Sequence, residues 1–192
     1  MKQSRGARTI VFPTPVFIVG TYDDAGKANM MAAAWGGICS SRPPSVAVSL
    51  RAATHSHGSI VARRAFTISI ASETYVTEAD YVGIASGRDV DKFAVTGLTP
   101  VHSDLVDAPY VSEYPMVLEC RLSQTVETDL HTIFIGEILD VKAEDNVFDE
   151  NGRIDIERVR PILWAPDGRG YYGVGEHLGE AFRIGRKLMD ES

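Results

Sequence analysis

The chain has 192 residues, 44% hydrophobic and 23% charged, with 17 Gly and 9 Pro, which excludes collagen-like or wholly disordered organisation and favours one core over two large domains. Its formal charge of −7 argues against general nucleic-acid binding, which needs clustered Lys and Arg. No apolar run approaches the roughly 18 to 20 residues of a membrane span, and the basic start from Met1 to Arg8 lacks a following signal-peptide core, so one domain over 1–192, cytoplasmic and without membrane or nucleic-acid partners, is expected.

Residues 16–22 are mostly β-branched or aromatic, Asp23-Asp24-Ala25-Gly26 has turn chemistry, and 29–34 is again apolar, which predicts a hairpin. Pro43-Pro44 stops any helix, and Val46 to Leu50 alternates as a strand. A short helix is expected over 55–64, with Ile60 and Val61 inward and Arg63-Arg64 at its C-terminal end, where cations suit the helix dipole. Phe66 to Ile70 alternates again, and residues 74–85 show helical spacing, ended by Gly83 and Gly87.

An irregular passage from Gly97 to Pro115 precedes the longest β signal. Leu118, Cys120 and Leu122 share one face of a strand over 117–127, with Glu119, Arg121 and Ser123 on the other. A second strand over 132–142 puts Ile133, Ile135, Leu139 and Val141 on a common face, and the two strands pair around Thr128-Asp129-Leu130. Asp145 to Arg153 is an acidic turn region. The tail from His177 to Leu188 repeats apolar residues at helical intervals and is expected to pack across the barrel or a partner. Closely spaced strands with few long helices favour an antiparallel barrel over a βαβ sheet.

The net charge conceals a local exception. From Ala25 to Ser72 there is no Asp or Glu, where an even spread would place about six. Lys27, Arg42, Arg51, Arg63 and Arg64 make this stretch +5, and the 14 cations and 26 acids elsewhere make the remainder −12. A small phosphorylated ligand fits one such stretch better than a polyanion does.

No Walker loop, Rossmann fingerprint, nucleophile elbow or zinc-ligand pattern occurs. His55 and His57 point apart on a helix and no carboxylate lies in the acid-free stretch to complete a site, so no metal is expected. Placed at a helix start beside Thr54 and after Arg51, the same residues offer backbone N–H groups, hydroxyls and a guanidinium to a phosphate. Lys92 would add a charge if its loop folds back. Cys39 and Cys120 are too few for a disulfide framework and sit on different predicted elements.

The run Asn29-Met30-Met31-Ala32-Ala33-Ala34-Trp35-Gly36-Gly37-Ile38-Cys39, followed by Pro43-Pro44 and Val46-Ala47-Val48-Ser49-Leu50-Arg51, resembles the flavin-binding core of the flavin reductase-like, FMN-binding split-barrel family and, within it, the flavoredoxin group. Ser86 to Phe93, His131 to Ile138 and Gly170 to Phe182 extend the resemblance in order over nearly the whole chain. It implies a mainly β fold with peripheral helices: a six-stranded antiparallel Greek-key split β-barrel, assembled as a homodimer with FMN near the interface.

The implied flavin platform is Ala33, Ala34, Trp35, Gly36, Gly37, Ile38 and Cys39, with main-chain donors around Ile38 and Cys39. The implied phosphate site is Ser49, Arg51, Thr54 and His57, with Lys92 contributing. His131 is either close to the flavin or a strand-end histidine bonded to backbone. Trp164 and Tyr171-Tyr172 either cover the flavin or bury the dimer contact. The resemblance implies an FMN flavoprotein that transfers electrons, with a ferredoxin-type donor and a downstream reductase as partners. The alternatives are an NAD(P)H:FMN oxidoreductase and a non-catalytic split-barrel binding protein.

Overall fold

A computed structural model describes residues 1–189. Strands β1 (Thr14–Pro15), β2 (Phe17–Tyr22), β3 (Ala28–Ala33), β4 (Gly36–Ser41) and β5 (Pro44–Arg51) lead into helix α1 (His55–Arg63) and strand β6 (Ala65–Ile70). A 3-10 turn over Glu73–Tyr75 runs into α2 (Val76–Ile84), and α3 (Lys92–Thr96) follows. The hairpin β7 (Pro100–His102) and β8 (Pro109–Val111) precedes the long hairpin β9 (Met116–Glu127) and β10 (His131–Ala143); α4 (Ile156–Val159), β11 (Leu163–Ala165) and β12 (Gly170–Tyr172) come last.

The main sheet is antiparallel, in the order β3-β2-β6-β9-β10-β5-β4, and a small second sheet joins β1, β11 and β12. It has seven strands where six were expected. Gly36 to Cys39, expected as part of a flavin platform, belong to a separate edge strand, β4, paired with β5. The chain leaving β3 curls back onto β5, where the Ser49 N–H donates to the Trp35 carbonyl at 2.8 Å.

The sheet buries both faces along much of its length. Val19, Val48, Phe66, Ile68, Cys120 and Phe134 form one core with Ile60 of α1; Ile18, Met30, Ala79, Val82 and Phe93 form another beneath α2 and α3. This explains why β6 is buried from Ala65 to Ser69 instead of presenting an alternating solvent face. Its Thr67 hydroxyl donates to the Pro109 carbonyl at 2.5 Å, and the Ser69 hydroxyl accepts from the Val111 N–H at 3.3 Å, so the β7–β8 hairpin covers the polar side.

Several expected faces are corrected. Thr132, Phe134 and Gly136 are the buried positions of β10, and Ile133 and Ile135 lie half-buried on the opposite side. Gly136 is inward because a Cβ there would meet the Phe66 ring and Cys120. Glu119, expected outward, is fully buried and paired with Lys142 at 2.7 Å. Val61 is exposed while Ile60 is buried, because a short helix against a sheet covers a single stripe. The tail does not pack on the barrel: Gly173 to Met189 is exposed throughout, with a 3-10 turn at Ile184–Leu188 and Phe182 93% exposed. Its glycines at 173, 175, 179 and 185 oppose a continuous helix.

Candidate functional site

Two adjoining cavities open between β3 and α2 and share Gly83. The first, about 210 Å³, lies at the N-terminus of α1 and is lined by Asn29, Thr54, His55, Ser56, Ser86 and Lys92 among others. The second, about 240 Å³, is lined by Ala32, Ala33, Ala34, Asp80, Trp164 and Tyr171 among others. Their volumes together exceed the roughly 300 Å³ at which small-molecule sites begin.

The first cavity has the donors an anion needs. Thr54 caps α1: its hydroxyl donates to the Arg51 carbonyl at 2.9 Å and accepts no first-turn N–H, and its carbonyl accepts only the His57 N–H of that turn, at 3.3 Å. Those N–H groups carry the positive end of the helix dipole. Lys92 is 4% exposed, and its ammonium donates to the Val82 carbonyl at 2.7 Å. Burial pushes its pKa down to about 8, still protonated at neutral pH. One carbonyl satisfies one of three ammonium donors, leaving capacity for an anion. Asn29 donates to the Ser56 hydroxyl at 3.0 Å and ties α1 to β3. Gly87 is required here, since a Cβ would strike the Asn29 carboxamide and would lie 2.8 Å from His55 Cδ2.

The second cavity is lined largely by alanines and aromatic side chains. Trp164 of β11 pairs with Tyr171 of β12, whose hydroxyl donates to Asp80 at 2.9 Å. Burial, and then the bond to Asp80, pushes that phenol up to about 12, so it stays a neutral donor.

The residues expected to hold a phosphate do not all meet in one place. Thr54 and Lys92 come together, whereas Ser49 and Arg51 lie on the other face of β5, in register with Ile133 and His131. Val46, Val48 and Leu50 turn inward, so alternation turns Ser49 and Arg51 outward. His57 also leaves the group: its Nε2 lies 2.8 Å from the Thr132 hydroxyl and its ring packs edge-on against Phe134. His55 and His57 accordingly point to different places.

The acid-free stretch is not a field of free cations either. Lys27 pairs with Asp91 at 3.2 Å, Arg63 pairs with Asp107 at 3.0 Å, and Arg64 donates to the Leu122 carbonyl.

Of the expected flavin platform, Ala33 and Ala34 line the second cavity with Trp164. Trp35 packs against His131 in a tilted contact, with ring centroids 4.8 Å apart and planes 41° apart, on a ledge beside Arg51. The His131 backbone is also bonded to Thr128, through its carbonyl and its N–H. Gly36 allows close packing on Phe17, and Gly37, Ile38 and Cys39 follow along the edge strand. His55, placed at the helix start with Thr54, does line the first cavity, whereas Asn29, Ser56, Ser86 and Asp80 line the cavities without having been singled out as site residues. Asn29 had a signal, since a polar side chain inside an apolar strand needs a partner.

The model of the flavin reductase like domain family matches residues 8–173. The flavoredoxin of Desulfovibrio vulgaris (Miyazaki F) is 56% identical, with a TM-score of 0.93 over 96% of this chain and 100% of that one. The flavoredoxin from Methanosarcina acetivorans is 28% identical, with a TM-score of 0.92 over 98% and 100%. The high molecular weight rubredoxin of Moorella thermoacetica is 36% identical over 102 residues, 52% of this chain and 43% of that protein. An antiparallel sheet of this order, agreement in fold over almost the full length and a family match to most of the chain lead to one conclusion: this chain belongs to the flavin reductase like domain family.

Proposed function

We propose that the chain binds FMN in the joined cavity and serves as an electron-transferring flavoprotein. The observation that carries this reading is that the buried Lys92 and the start of α1 line one cavity, which shares Gly83 with the apolar pocket of Ala33, Ala34 and Trp164. A ligand with a phosphate at one end and a flat ring at the other matches that division. Likeness to two flavoredoxins over nearly the full length supports the same ligand.

Lys92, Thr54 and the α1 amides would hold the phosphate; Asn29 and Ser86 offer hydrogen bonds between the two ends; Ala33, Ala34 and Trp164 would exclude water from the ring. Trp35 and His131 stand at the ledge where the chain leaves β3. Bound there, FMN supplies redox chemistry that none of these side chains offers.

The carrier reading takes electrons from a ferredoxin-type donor and passes them to a downstream reductase, and kinship with a rubredoxin-named protein supports it. The family name supports the other reading, an NAD(P)H:FMN oxidoreductase. An anaerobic titration separates them: bleaching by reduced ferredoxin without bleaching by NADH or NADPH supports the carrier, and steady turnover of either nucleotide supports the reductase. A purified chain that shows no flavin absorbance after incubation with FMN refutes both and leaves a non-catalytic binding protein.

The same reading has the chain act as a homodimer. Ile38, Leu130 and the tail residues Leu178 and Phe182 are exposed apolar side chains that a second copy would cover. Sedimentation at micromolar concentration tests this, and a monomer overturns it.

A further inference from the structure

His57 does not face the cavity, yet it belongs to the first turn of α1 that builds it. Its Nε2 lies 2.8 Å from the Thr132 hydroxyl, and Thr132 is 1% exposed. That hydroxyl has one proton and donates it to Glu127 Oε2, also at 2.8 Å. At His57 the hydroxyl oxygen must therefore accept, and the ring must donate. Neutral His57 is thus the Nε2–H tautomer, with Nδ1 unprotonated. The chain runs in one direction, from imidazole N–H through hydroxyl to carboxylate, and the Glu127 charge polarises each bond.

Thr132 and Glu127 are paired across the β9–β10 hairpin, so the acceptor end is held by the longest ladder of the sheet. Asn29 pins the neighbouring residue, Ser56, to β3, the opposite end of the strand order. The first turn of α1 is thereby clamped from two sides. The Thr54 side chain accepts none of its amides, and within the cap only the Thr54 carbonyl accepts one, the His57 N–H at 3.3 Å.

We propose that His57, Thr132 and Glu127 form a positioning relay that aims the first-turn amides of α1 at the bound anion, and that His57 itself does not touch that anion. This rests on the reading of the cavity as the phosphate end of an FMN site.

The test measures FMN affinity by fluorescence quenching in the native chain and in Thr132→Val, Thr132→Ser and Glu127→Ala, together with the His57 ring nitrogens by ¹⁵N NMR in the absence of FMN. Thr132→Val is expected to weaken FMN about three- to tenfold, the worth of one net hydrogen bond, while Thr132→Ser stays within about twofold of the native chain. The native ring is expected as the Nε2–H tautomer, and Glu127→Ala, an exposed change that spares the core, is expected to release it into a mixture. Equal affinity of folded Thr132→Val and native chain overturns the proposal, and so does an Nδ1–H tautomer in the native chain. If Thr132→Val does not fold, Glu127→Ala decides: unchanged affinity and tautomer overturn the relay. A native chain that binds no FMN refutes the cavity reading instead, and the tautomer measurement still judges the relay.

Discussion

The Lys92 ammonium donates to the Val82 carbonyl at 2.7 Å, joining α3 to α2 across the wall of the first cavity. This bond buries a cation beside an anion-sized space, which sets ligand affinity against stability.

Lys92→Met tests that opposition. Burial lowers the folded pKa to about 8 against an ordinary 10.5, so between those values the unfolded chain holds more protons and stability rises with pH. Below about pH 8 the full cost of burying the charge is present. Lys92→Met is therefore expected to stabilise the ligand-free chain by about 1–2 kcal/mol at pH 7, with the gain shrinking toward pH 10.5. The same change is expected to weaken FMN about tenfold or more, the worth of a charge-assisted hydrogen bond. Urea midpoints at several pH values and an FMN titration check both signs.

Arg51→Ala is the control for charge in the acid-free stretch. Arg51 is exposed on the outer face of β5 and lines neither cavity. Its removal is expected to change FMN affinity by less than about twofold, as for a screened surface charge. A loss equal to that of Lys92→Met would show that the phosphate lies on the ledge beside His131 and not at α1.

Glu119 and Lys142 staple the β9–β10 hairpin. Glu119 is fully buried, and its Oε2 has no hydrogen-bond partner among the described residues. Lys142→Met leaves that carboxylate without its cation and is expected to cost about 2–3 kcal/mol, less than a fully buried pair because Lys142 is partly exposed. Adding Glu119→Gln should recover most of the loss, because the uncompensated charge is gone. The bond to Glu119 raises the Lys142 pKa, so the pair's contribution is complete below the ordinary lysine pKa and fades as pH rises through the folded value. Denaturant midpoints for the single and double variants measure this.

The two thiols are expected to react differently. Cys39 is exposed on the edge strand, whereas burial, and then the Glu119 charge, pushes the Cys120 thiol up to about 12. A thiol reagent should label Cys39 alone in the native chain and both in denaturant. Native labelling of Cys120 at a comparable rate would show that the β6–β9–β10 core opens.

The sequence by itself determined what depends on neighbours along the chain. The β2–β3 hairpin was legible because Asp23 and Gly26 make a tight turn: Asp23 Oδ1 accepts from two backbone N–H groups, and Gly26 takes φ +79°. The long β9–β10 pair was legible from alternation, and the family from a run of residues around Trp35.

Only the tertiary structure decided which of these residues meet. Two register shifts leave an extra residue on each strand of the long hairpin, Ser123 on β9 and Leu139 on β10, so a fixed period could not carry one face along its whole length. The +5 stretch looked like a field because its acids are distant in sequence, yet Asp91 and Asp107 fold onto Lys27 and Arg63. Lys92, expected to add a charge only if its loop folds back, is the buried cation of the first cavity because α3 packs against α2 and β3. Local periodicity reports a residue's own element, whereas convergence on a ligand depends on contacts between elements far apart in the chain.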